Sequence, residues 1–75
     1  MLPRLVYMAN QIGKFFVSAD GPRAAADIAD HLQKFWAPPM RAEIIAHLAA
    51  GGEGLDPAVR DAVASLKPLH TEDKR

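Results

Sequence analysis

Pro38 and Pro39 stand side by side between two segments of helical periodicity, and no regular helix can run through them. A proline ring removes the N–H that an interior helical turn needs, and the residue before a proline avoids helical geometry. The chain must therefore turn a corner there. Gly21-Pro22, Gly51-Gly52, Asp56-Pro57 and Pro68 divide the remainder in the same way. No segment shows the period-two alternation of a strand, and no internal repeat is present. The pattern predicts an all-α fold: a small single-domain bundle of about four short helices over residues 1–66, with a frayed polar C-terminal tail over 67–75.

The first helix is expected from Leu5 to about Val17, where Leu5, Met8, Ile12 and Phe16 fall on one face. Val6, Ala9, Gly13 and Val17 form a second apolar face beside it, leaving Tyr7, Asn10, Gln11 and Lys14 as the polar side. An arc that wide places the helix at the centre of its bundle, or between its own domain and a partner. Gly13 costs about 1 kcal/mol relative to alanine in a helix interior but would let another helix approach closely. Ser18 to Pro22 reads as a turn, and the second helix then runs to about Phe35 with Ala24, Ala25, Ile28, Leu32 and Phe35 on its core side. Asp30 and Lys34 form an i,i+4 pair. The third helix, about Pro39 to Ala50, has Met40, Ile44, Ile45 and Leu48 apolar and Gly51-Gly52 as its stop. In the fourth, Asp56 is the expected N-cap and Pro57 the first helical residue, with Val59, Ala62, Val63 and Leu66 inward.

A chain of 75 residues buries only roughly 60% of the surface it exposes when unfolded, so small domains commonly need a disulfide, a metal or a partner. Cysteine is absent, which excludes disulfides, thiolate zinc sites, cysteine-ligated iron–sulfur clusters and a cysteine nucleophile. A partner is the remaining support. Nine basic and nine acidic side chains cancel, and the basic ones are scattered singly, a poor basis for phosphate binding. A near-neutral, apolar-rich surface is also weakly protected from association. With no signal-like apolar run and no segment able to span a bilayer, neither nucleic acid nor membrane is expected as a partner, and the expected location is cytoplasmic.

Few residues suggest chemistry. His31 and His47 lie on different helices without a second histidine at ligand spacing; each has a carboxylate four residues upstream, Asp27 and Glu43, so two helix-surface ion pairs are expected rather than a metal site. His70 lies in the tail. Ser18 and Ser65 belong to no nucleophile motif, and Gly51-Gly-Glu-Gly54 lacks the Lys-Ser/Thr of a phosphate loop and reads as a helix stop followed by a flexible loop. No catalytic, cofactor-binding or metal-binding residues are expected.

The corner itself carries the candidates for contact. Arg41 falls between Ile45 and Leu48 on the helical wheel, inside the apolar arc. A guanidinium there must snorkel to solvent, or meet a carboxylate or a helix C-terminus on another helix or subunit. Trp36 is open between two readings, the largest component of a small core or an exposed anchor. Phe15 flanks the main stripe of the first helix and suits either role. With Asn10 and Gln11 these make up the candidate partner interface.

Met8-Ala-Asn-Gln-Ile12, Phe15-Phe16, His31, Phe35-Trp36 and Pro38-Pro-Met-Arg41, in that order, resemble the small delta subunit of NAD-dependent, molybdenum-containing formate dehydrogenases, and Leu55-Asp-Pro-Ala-Val59 with Ala62-Val63 continues the likeness. The resemblance covers about Leu5 to Leu66. It implies a non-catalytic subunit that stabilises the complex or assists its maturation. Its partners would be the catalytic and other subunits, which would hold the molybdopterin, the iron–sulfur clusters and FMN. This chain departs from the family pattern in having Ala37 where an acidic residue precedes the first proline and Pro39 where a basic residue follows it. Ala37 has no side-chain oxygen to cap the third helix. The competing reading is a small helix-turn-helix DNA-binding or regulatory module built on the second and third helices, although Met40 to His47 offers one arginine and one glutamate for base contacts. An enzyme would need a site assembled from His31, His47 and nearby acids.

Overall fold

The computed structural model describes residues 2–66. The expected polar tail over 67–75, with Pro68 and His70, lies outside them. Helix α1 spans Leu2–Asp20, a single 3-10 turn Gly21–Arg23 follows, and α2 (Ala24–Phe35), α3 (Pro38–Ala49) and α4 (Pro57–Ala64) complete the order. No strand occurs among the described residues.

Helix α1 is longer than its apolar periodicity suggested, by one turn at each end. Pro3 lies in the first turn, where its missing N–H has no intrahelical acceptor to satisfy. At the other end nothing in Ser18-Ala-Asp20 breaks the helix, so the expected turn narrows to Gly21-Pro22-Arg23. Each later break falls close to where the breakers place it. Helix α3 starts at Pro38, with the Ala37 carbonyl accepting from the Met40 and Arg41 N–H groups at 2.9 and 3.1 Å, and no side chain caps it. It stops where the Gly51 N–H donates to the Leu48 carbonyl and the Gly52 N–H to the His47 carbonyl, at 3.0 and 2.9 Å. That double bond pattern is a Schellman closure, and it needs the positive φ that Gly51 and Gly52 supply. Pro57 occupies the first turn of α4 as expected, but Asp56 makes no side-chain cap.

The core is drawn from every helix: Leu5 and Ala9 of α1, Ala24, Ile28 and Leu32 of α2, Ile44 of α3, and Val59, Ala62 and Val63 of α4, with Trp36, Leu55 and Leu66 closing it from the connections. Helix α1 touches α2, α3 and α4, which accounts for an apolar arc too wide for a surface helix. Met40, Ile45 and Leu48 pack against this core from α3 while remaining partly exposed. Phe35 departs from expectation. It is 72% exposed, whereas Trp36 beside it is only 6% exposed. Helix α2 ends at Phe35 and the backbone is extended at Trp36, so wheel positions no longer decide which ring turns inward.

Two helices meet closely at Gly13. A Cβ built there would lie 2.5 Å from Cγ2 of Val59, so α4 rests on the bare backbone of α1. Valine has one stiff torsion and cannot swing aside cheaply. Gly13→Ala should therefore lower the free energy of unfolding by about 1 kcal/mol or more, because overpacking outweighs the gain in helix propensity. Urea denaturation of the two proteins measures it; an unchanged or higher midpoint would show that α1 and α4 have room to spare.

A candidate docking surface

Four rings form a continuous row across the outer seam of α1 and α2. Phe15 meets Phe16 edge-on with centroids 5.1 Å apart, Phe16 meets His31 at 6.0 Å, and His31 meets Phe35 at 4.9 Å. Phe16 is half-buried against the core, and the ends of the row stand out, with Phe15 65% and Phe35 72% exposed. Two helical spacings build the row: the adjacent pair Phe15-Phe16 on α1, one ring out and one ring down, and the i,i+4 pair His31 and Phe35 on α2. Gln11, one turn before Phe15, is exposed on the same side.

This arrangement replaces the expected Asp27–His31 ion pair. The Asp27 carboxyl turns to Asp20 across the α1–α2 corner, where a hydrogen bond with that residue, with partial desolvation and the repulsion of its charge, raises the Asp27 pKa above the ordinary aspartate value. Glu43 and His47 do not pair either. His47 Nε2 lies 2.8 Å from the Glu53 carbonyl, a contact that requires the ring proton on Nε2. Asp30 and Lys34 do pair, at 3.2 Å, on exposed surface where such a contact contributes little.

The other interface candidates are engaged inside the domain. Trp36 belongs to the core. Arg41 turns to the end of α2, where Nη1 donates to the Gln33 and Trp36 carbonyls at 3.2 and 2.5 Å. Its charge is misplaced for the N-terminal turn of its own helix and well placed for the C-terminal dipole of α2, so the misfit on the wheel is resolved within the chain. Its Nε is buried without a partner. Asn10 is a brace: Nδ2 donates to the Gly54 carbonyl at 2.8 Å, and Oδ1 accepts the Asp56 N–H at 2.9 Å. The Asp56 carboxylate, expected as a cap, instead pairs with Lys14 at 3.1 Å. Arg60 Nη1 donates to the Gly52 carbonyl at 2.8 Å, so the glycine stretch expected as a flexible loop is tied down by Asn10, His47 and Arg60. A groove of about 480 Å³ bordered by Gly13, Val17, Pro57 and Val59 runs beside the α1–α4 contact.

Of the five candidates, Phe15 and Gln11 are presented to solvent, while Asn10, Trp36 and Arg41 hold the domain together. His31 and Phe35 were not among the candidates, although their i,i+4 spacing was visible. The wheel placed Phe35 inward and the carboxylate rule claimed His31. Among the described residues no cluster of three or more His, Asp or Glu side chains could hold a metal ion.

A family model described as the NADH-dependent formate dehydrogenase delta subunit FdsD matches residues 4–63, which include the whole aromatic row, the proline corner and most of α4. No curated protein and no solved structure matches the chain.

Internal roles for Arg41 and Trp36 have measurable consequences in the isolated chain. Arg41→Ala should destabilise the fold by about 1–2 kcal/mol, as expected for losing a charged donor to partly exposed carbonyls. Trp36→Ala should cost about 3–5 kcal/mol, enough to unfold much of so small a domain. Thermal melts followed by circular dichroism read both. A wild-type melt for Arg41→Ala would return that side chain to the surface.

Proposed function

The chain belongs to the NADH-dependent formate dehydrogenase delta-subunit family, and from that premise we propose that it is a non-catalytic accessory subunit that stabilises the enzyme complex or assists its maturation through protein–protein contacts. The match over residues 4–63 carries the reading. Two features support it. The exposed rings of Phe15 and Phe35 are a costly surface for a chain that works alone. Asn10, Arg41, His47 and Arg60 also spend their side-chain hydrogen bonds inside the domain rather than on a site.

In this proposal the catalytic and other subunits of formate dehydrogenase are the partners, and the molybdopterin, iron–sulfur clusters and FMN reside in them. The present chain has no cysteine with which to ligate a cluster. A cytoplasmic location goes with the same reading; no helix among the described residues is long and apolar enough to cross a membrane. The helix-turn-helix reading gains nothing from the geometry, because Arg41, the one arginine of α3, is bonded to the end of α2.

The test is deletion of this chain from cells that make the enzyme, with a tagged copy restored. Formate oxidation should fall several-fold on deletion and recover with the copy, and the tagged chain should bring down the larger subunits. Unchanged assembly and activity after deletion would sink the proposal.

A further inference from the structure

We propose that the Phe15–Phe16–His31–Phe35 row is the face by which this chain docks on a larger formate dehydrogenase subunit, in an uncharged apolar recess of that subunit, and not on a second copy of itself. The inference rests on the accessory-subunit reading above and specifies its contact surface.

The chemistry of the row sets the character of the partner. Three phenylalanines and an imidazole run on without interruption by a charged side chain, and aromatic residues are enriched at protein interfaces while charges are depleted from interface cores. The two exposed rings project from the seam while Phe16 and His31 fill the floor between them, a shape that fits a concave surface.

Area argues against self-association. At 65% and 72% exposure, Phe15 and Phe35 leave on the order of 250–300 Å² of surface uncovered. A standard stable interface covers about 800 Å² on each partner. A second copy would have to find the rest among the helical neighbours of the row: Gln11, Ile12, Ser18 and Ala19 beside Phe15, Asp27 and Lys34 beside His31. That margin is mixed in polarity, whereas interfaces between copies of one chain are the more apolar kind. A larger partner can enclose both rings and meet the polar margin with groups of its own.

The experiment titrates the full-length chain against formate dehydrogenase prepared without it, comparing wild type, Phe15→Ser/Phe35→Ser and Tyr7→Ser. Tyr7 is as exposed as Phe15 but takes part in none of the ring pairs of the row. Wild type and Tyr7→Ser should bind alike, and the double variant should bind at least about thirtyfold more weakly, the loss of one anchor-sized contribution. Light scattering should find free wild type monomeric, and both variants should fold, Tyr7→Ser melting with wild type and the double variant slightly lower for its lost ring contacts. Should the double variant fail to fold, Phe35→Gln alone gives the same comparison. Undiminished binding by the folded variant overturns the docking face and leaves the accessory role standing. Failure of wild type to bind removes the accessory role itself. A wild-type dimer that the double variant dissolves assigns the row to a second copy and overturns the proposal.

Discussion

The contact between Gly13 and Val59 is the constraint on which the rest of the bundle depends. Helix α4 has eight residues, too few to be helical alone in water, so it exists because α1, α2 and α3 hold it. Within little more than one turn of α1, Asn10, Gly13 and Lys14 meet that helix and its approach in three ways: hydrogen bonds at Gly54 and Asp56, a bare backbone under Val59, and an ion pair with Asp56. With α4 in place, Val59, Ala62 and Val63 complete a core that α1 and α2 would otherwise leave open. An interior glycine that weakens α1 locally is thus the condition for tertiary packing around it.

The proline corner is the second fixed point, and it works by division of labour. Pro38 and Pro39 stop α2 and start α3 without leaving amide donors unpaired. Trp36 fills the core at the bend, and Arg41 binds the carbonyls that the end of α2 leaves free. Ala37 contributes only its backbone carbonyl, so α3 begins without a side-chain cap. The charge that looked misplaced on α3 belongs to the electrostatics of α2.

Features set by local chemistry could be read from the residues. Proline and glycine positions located the breaks, Gly13 marked a close approach, and Asp30 met Lys34, while the wide arc of α1 left open whether the helix is central or shared with a partner. Features set by competition between partners could not. Asp56 had two uses for its carboxylate, and Lys14 on a distant turn of the chain took it from the expected cap. His31 and His47 each had a carboxylate at helical spacing, but ring stacking and a carbonyl six residues away are tertiary alternatives that spacing does not reveal. At the candidate surface, Gln11 was legible as an outward residue, while Phe15 was left open between core and contact. Phe35 was misplaced because it is the last residue of α2, and Trp36, in extended backbone just after it, takes the core position.

Trp36 is the only tryptophan in the chain and is enclosed at the corner, while the rings that face solvent are phenylalanines and a tyrosine. The molecule therefore carries its own optical gauge. Indole emission is sensitive to water, so its wavelength reports whether the bend is closed, without labels and without interference from the outer row. Covering the Phe15 and Phe35 rings would leave that signal nearly still, whereas loosening the corner would move it, so one fluorescence trace separates what happens on the surface from what happens within.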